Sequence, residues 1–182
     1  MMPCTFTVLN TGRLVLRPLR NDDAPALLAL YGDPEVMRHW IHPPWTAPAQ
    51  ALAAIEEARR DLAAGLALHL AIADRANGRV LGSCALFDVV PAHRRASVGY
   101  LLARQHWGHG FGREALHAIV THGAEALGLR RIEAEVAPDN GASQAVLAWL
   151  GFRREGRLHA RWCVGGMARD VDLWAFTSGS QP

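Results

Sequence analysis

The stretch that decides the fold reads Trp107-Gly108-His109-Gly110-Phe111-Gly112-Arg113-Glu114-Ala115. Glycine stands at every second position, 108, 110 and 112. An apolar, strand-like run over residues 96–103 precedes it, and a helical pattern over residues 111–127 follows at once. Glycine lets the backbone turn sharply and lets a ligand lie against bare amides. The first N–H groups of a helix have no intrahelical partner and carry roughly half a positive charge. Strand, glycine turn and helix start together make an anion cradle, most often for phosphate. The spacing therefore predicts a phosphate-bearing ligand here; the alternative is a structural turn with no ligand.

Working outward, two phosphate-binding patterns fail. G-x-x-x-x-G-K-[ST] needs a lysine, and Lys is absent from the whole chain: all 19 of its Lys+Arg positions are Arg. The dinucleotide fingerprint G-x-G-x-x-G fits Gly108 and Gly110 but meets Arg113 where the third glycine belongs. Glu133 lies about twenty residues on, where a ribose-binding acid would stand. A dinucleotide-binding oxidoreductase is therefore kept as a weaker alternative.

At 182 residues the chain fits one domain, 1–182, with a real core. Its ordered part is expected over about 10–176, with a loose polar tail at 177–182. A net charge of +2 gives no basic field of the kind a nucleic-acid binder shows. No apolar run reaches the length of a membrane span, and residues 1–10 lack the regions of a signal peptide. Cys4, Cys84 and Cys163 are odd in number and far apart, which reads as reduced thiols in a cytoplasmic protein. Cys84 and Cys163 fall in strand-like runs and are expected in the core.

Residues 13–19 alternate as a strand, and 21–23 offer a helix cap with Pro25 in the first turn. An aromatic, proline-bearing loop runs over 37–45; its rings either line a pocket or cover the core. Thr46 is read as the cap of a second helix to about Ala64, closed by Gly65. Strands follow at 66–73 and 80–90, joined by Asn77-Gly78, and then at 95–103. After the glycine turn and its helix come a strand at 131–137, a helix at 142–150, and strands at 153–164 and 167–176. This is an α/β (α+β) domain with a mixed, mostly antiparallel central sheet flanked by helices.

Several segments also resemble a known family. Gly99-Tyr-Leu-Leu102, then Trp107-Gly-His-Gly-Phe-Gly112, then Glu114-Ala115 is similar to the pyrophosphate motif of the GCN5-related N-acetyltransferases, [RQ]-x-x-G-x-[GA]. Trp107 takes the Arg/Gln position, as in the branch containing ribosomal-protein N-terminal acetyltransferases; Gln105-x-x-Gly108-x-Gly110 also matches, two residues early. His109 stands where that branch carries Lys or Arg. Asn140-x-x-Ser143 followed by Leu147-x-x-x-Gly151-Phe152-x-x-Glu155-Gly156 resembles a second block. Gly12-Arg-Leu-Val-Leu-Arg-Pro-Leu19 with Asp23-Ala24, and Asp33-Pro-Glu-Val36, resemble the branch's opening. The matches fall in order over almost the entire chain.

The resemblance implies acetyl-CoA as co-substrate, a primary amine as acceptor, direct attack and no metal. It places the diphosphate on the amides of Gly108, His109, Gly110, Phe111, Gly112 and Arg113 beside Trp107, and the pantetheine against the strand ending in Leu102. An N–H on that strand would meet the thioester oxygen as charge develops. Asn140 would hold the chain near the cofactor, and Ser143 would be the acid for the leaving thiolate; both are equally ordinary helix-capping residues. Leu147 occupies a position where some relatives have an acid tyrosine. Glu135, five residues before Asn140, aligns with a proposed base, with Asp88 and His93 as alternatives and Ser97 where the branch often has Glu.

With so modest a base, an α-amine of pKa near 8 is easier to deprotonate than a lysine near 10.4, by roughly 3.4 kcal/mol. The expected acceptor is thus a protein N-terminus or another amine of low pKa. A non-catalytic acyl-CoA sensor on the same fold is the alternative, and a homodimer is admitted but not required. His39-x-x-His42 and His106-x-x-His109 have metal-like spacing with no third ligand to complete a set. Arg59-Arg60, Arg94-Arg95, Arg130-Arg131 and Arg153-Arg154 are read as solvated faces, one of which meets the nucleotide phosphate.

Overall fold

In the computed structural model, which describes residues 8–179, the alternation of Leu14 and Leu16 becomes the fully buried side of β2 (Leu14–Pro18). The same logic gives β3 (Leu68–Asp74), β4 (Val80–Val90), β5 (Arg95–Leu102), β6 (Arg131–Val136), β7 (Arg153–Val164) and β8 (Met167–Thr177). A two-residue strand, β1 (Leu9–Asn10), pairs with β2. The eight strands form one sheet in the order β1-β2-β3-β4-β5-β6-β8-β7. Every neighbouring pair is antiparallel except β5 with β6.

Among the described residues four α-helices cover it: α1 (Ala24–Gly32), α2 (Pro48–Ala64), α3 (Phe111–Glu125) and α4 (Gly141–Trp149). Leu116, Ile119 and Val120 of α3 pack with Leu70, Ile72, Leu86 and Ile132 of the sheet in the main core. Among the described residues no helix is long and apolar enough to cross a membrane.

The parallel pair positions everything that follows. β5 and β6 are in register only from Arg95–Ser97 against Arg131–Glu133. Beyond that the strands part. At the closed end Glu133 accepts hydrogen bonds from Arg95 Nη1 at 2.5 Å and Arg131 Nε at 2.6 Å. Burial opposes ionisation of Glu133, and these two arginines outweigh it, holding the carboxyl below its ordinary range. Glu133 is thus a structural anchor, and a mostly antiparallel sheet is not a doubly wound dinucleotide fold.

Two bulges flank the parting. Between the pairs Phe87–Ser97 and Val90–Arg95, two residues of β4 oppose Ala96 alone, and the first of them, Asp88, has φ +50°. Between Leu158–Val171 and Trp162–Arg169, residues 159–161 oppose Asp170, and Ala160 has φ +51°. The Ala160 N–H donates to Asp170 Oδ1 at 2.9 Å.

Several local expectations are corrected. Thr46 does not cap α2: Ala47 holds that position, and Gln50 Oε1 reaches back to the N–H groups of Thr46 and Ala47 at 2.8 and 3.0 Å. Cys84 is buried, but Cys163 is exposed because β7 is the edge strand. Arg95, Arg131 and Arg154 are ion-paired rather than simply solvated. Thr177 closes β8, and Ser178 donates to Leu129 O and Arg130 O at 2.8 and 2.9 Å, so the chain is held two residues into the expected tail. Cys4 and the rest of residues 1–7 lie outside the described residues, as do 180–182.

Candidate active site

The glycine turn forms a concavity of bare amides. Gly108 and Gly110 hold φ of +76° and +80°, a region glycine enters without steric cost. Gly110 precedes α3 with no side-chain cap. The N–H groups of Phe111, Gly112 and Arg113 are left over at the helix start, and nothing among the described residues takes them. A Cβ on Gly108 would meet nothing within 4 Å, so the space over the turn is open.

Arg13, which the sequence reading did not single out, braces this turn. Its Nη1 donates to His109 O at 2.9 Å and its Nε to Glu114 Oε2 at 2.7 Å, while its Cζ lies 4.5 Å from the Phe111 ring centre. Glu114 also accepts from Thr11 Oγ1 at 2.6 Å and from the Arg13 N–H at 2.8 Å. Burial opposes ionisation of Glu114, and these bonds outweigh it, so its carboxyl stays below the usual range. Nearby, burial and then the charges of Arg79 and His109 push His106 down.

Trp107 joins the turn to the strand. Its indole N–H donates to Leu102 O at 2.7 Å, whereas its backbone N–H is used on Arg104 O. The Ala103 N–H points to Leu81 O on β4. Alternation then turns the backbone groups of Leu102 and Tyr100 the other way, to the side β6 has left. With the Leu102 carbonyl occupied, the N–H groups of Tyr100 and Leu102 remain on the open edge.

A cavity of about 490 Å³ fills the gap between the parted strands, and Trp107 lines one end, so turn and cavity are continuous. Asn140 Oδ1 accepts the Ser143 N–H at 3.2 Å as the cap of α4. Ser143 Oγ stands 3.5 Å from the hydroxyl of Tyr100, at the outer limit of a hydrogen bond. Burial pushes Tyr100 up, more than the bond to Ser143 lowers it, so the phenol keeps its proton. Tyr100 was named in the sequence only as part of a strand motif. Leu147 is core and lines the cavity together with Tyr100 of β5.

Glu135 lines the same cavity with both oxygens engaged: Oε1 accepts from Arg161 Nε at 2.9 Å and Oε2 from the Trp162 indole at 2.8 Å. The bulge at Ala160 brings these two partners onto β6. Asp88 and Ser97 also line the cavity; His93 does not. Trp40 and Ile41 face it, while Trp45 stacks on Tyr31 at 4.3 Å, so the aromatic loop serves both pocket and core. His39 faces Asp139, whose Oδ1 lies 3.3 Å from its Nδ1.

Unpaired amides suit a diphosphate, an unpartnered strand edge suits an amide-bearing arm, and the cavity ends on a hydroxyl pair. The acetyltransferase (GNAT) domain model matches residues 13–153. The N-acetyltransferase p20 of Bacillus licheniformis is 36% identical over 93% of this chain and 94% of its own length. The Escherichia coli [ribosomal protein uS5]-alanine N-acetyltransferase is 28% identical over 93% of this chain and 90% of its own. Mycobacterium smegmatis RimJ, solved in complex with CoA-disulfide, superposes with a TM-score of 0.89 at 29% identity, covering 100% of this chain and 92% of that one. With bare amides, an open strand edge and a matching domain on one chain, the protein belongs to the GNAT acetyltransferase family and is an acetyl-CoA-dependent N-acetyltransferase.

Proposed function

We propose that the acceptor is an α-amine, such as a protein N-terminus, or another amine of low pKa, attacking directly. Acetyl-CoA supplies an acyl group on a thioester. The amides of residues 108–113 hold the diphosphate, with Arg13 and Trp107 fixing their geometry. The N–H groups of Tyr100 and Leu102 hold the arm and the thioester oxygen as it gains charge. Asn140 orients the start of α4, and Ser143, with the Tyr100 hydroxyl behind it, delivers a proton to the departing sulfur.

The observation that carries the acceptor class is the state of Glu135, the proposed base. An Arg161 guanidinium and an indole N–H occupy its two oxygens, so it takes up a proton from the acceptor only by giving up one of these partners. It can serve an amine of pKa near 8 far better than one near 10.4. The similarity to an enzyme named for an alanine of a ribosomal protein supports the same class.

The test measures CoA thiol release with a short peptide bearing a free N-terminus and with an N-blocked lysine peptide. The free N-terminus is expected to react faster by at least ten-fold; preference for the lysine would refute the acceptor class. Ser143→Ala is expected to lower kcat ten-fold or more with CoA affinity unchanged, and Tyr100→Phe to lower it less. Unaltered turnover in Ser143→Ala would remove Ser143 from the acid role.

A further inference from the structure

The cavity wall carries six Asp, Glu, His or Arg side chains: Glu35, Arg38, His39, Asp88, Glu135 and Arg161. Five are committed to partners. Arg38 Nη1 donates to Glu35 at 2.9 Å, and its Nε and Nη2 approach His39 Nε2 at 3.3 and 3.1 Å. His39 Nδ1 in turn lies 3.3 Å from Asp139 Oδ1. Arg161 is held to Glu135, with Nη2 to Oε1 at 2.8 Å. Asp88 alone of the six accepts no hydrogen bond and makes no ion pair among the described residues. Arg161 feels its charge, but that guanidinium is already neutralised by Glu135.

Asp88 also sits in a backbone conformation that needs a reason. Its φ of +50° belongs to a region costly for a side-chain-bearing residue, and it occupies the extra position of the β4 bulge. Bulges re-aim side chains, often beside active sites. Here the result is an unpaired carboxylate on the wall of a cavity whose lining includes the rings of Trp40, Phe87 and Trp162. Aromatic faces and a free carboxylate together receive a cation.

We propose that Asp88 binds a second positive charge on the acceptor, at some distance from the nitrogen that reacts. Phe87, its neighbour, pairs with Ser97, three residues before Tyr100 on β5. Asp88 lies beyond that pair as seen from Tyr100, so at about 3.3 Å per residue the two ends of this subsite lie roughly 10–13 Å apart along the strands. Asp88 is therefore too far along the strand to take the reacting proton and well placed to hold a dicationic amine in register. The proposal rests on the reading that the acceptor enters this cavity.

The test is direct binding to the CoA-saturated chain, by calorimetry at pH 7.5 and low salt. The probes are 1,5-diaminopentane and 1-aminohexane, which match in heavy-atom length and differ in the second charge. The wild-type chain is expected to bind the diamine about ten-fold more tightly. Asp88→Asn should bring the ratio to within two-fold, because asparagine also tolerates the left-handed region and keeps the bulge. A CoA-dependent rise in melting temperature in the variant shows that it is folded. Equal affinities in the wild type, no binding of either probe, or a ratio unchanged in Asp88→Asn would each overturn the subsite. Thiol release with the free-N-terminus peptide is followed in parallel: a charge-dependent binding ratio without thiol release from that peptide leaves the subsite standing and refutes the acceptor reading instead.

Discussion

Replacing Gly110 isolates the contribution of the bare-amide turn. The residue holds φ +80° immediately before α3. An alanine in the left-handed region is strained by about 1–2 kcal/mol, and asparagine by less. A Cβ there would stand 3.4 Å from the end of the Arg13 side chain, an ordinary contact, so the conformational penalty stands almost alone. Gly110→Ala can meet it in two ways. If the turn keeps its shape, the free protein loses about 1–2 kcal/mol, a fall in Tm of roughly 2–8 °C for a chain of this size. If the turn relaxes in the free protein, it must be rebuilt around the diphosphate, and CoA affinity falls about 5- to 30-fold for the same energy. The two losses are therefore complementary, and their sum is fixed. Melting curves and calorimetric CoA titrations on the Gly, Asn, Ala and Val variants should show summed losses rising in that order. An alanine variant that melts and binds CoA like the wild type would refute the role assigned to this turn.

Three further outcomes follow from the described contacts. Asp23→Ala strands the Arg17 guanidinium, whose side chain is 11% exposed, and the Arg20 N–H; about 3 kcal/mol of stability should be lost in urea unfolding. Asp23, Glu114 and Glu133 all titrate below their ordinary values, so their stabilisation is complete above about pH 4.5 and drains away as pH falls through the depressed values. The urea midpoint should be level from pH 5 to 7 and drop below pH 4, with a shallower drop in Asp23→Asn. Gly82→Ala would place a Cβ 2.1 Å from Leu101 O, a backbone atom that cannot move aside; a loss of about 3 kcal/mol is expected in thermal melts, and a neutral result would mean the β4–β5 spacing is wrong.

The strands and helices were legible because their signals are local. Alternation marked β2, apolar runs marked β3 to β5, and the glycines marked the start of α3. The cofactor side of the site was legible for the same reason, since its residues are consecutive. What the sequence withheld depends on strands far apart in the chain. No periodicity reveals that one residue too many lies between Phe87 and Val90, yet that residue aims Asp88 at the cavity. The sequence offers Glu135 as a candidate base but not its partners, which a bulge 25 residues later delivers as Arg161 and Trp162. Ser143 could be named, but its neighbour Tyr100 comes from another strand, 43 positions earlier. Thr46 was misread because a glutamine three residues beyond Ala47 performs the capping from the other direction.

The three-residue register between β5 and β6 makes the sheet two plates joined by a short seam. One plate carries β1 to β5; the other carries β8 and β7 on β6. In the free protein the second plate has a cheap route to partial opening, so its amides should exchange with solvent at a lower free energy than those of β3 and β4. A molecule lodged in the gap touches both plates and acts as a rivet. Protection gained on CoA binding should therefore spread to β6 and β8 amides that the nucleotide never approaches.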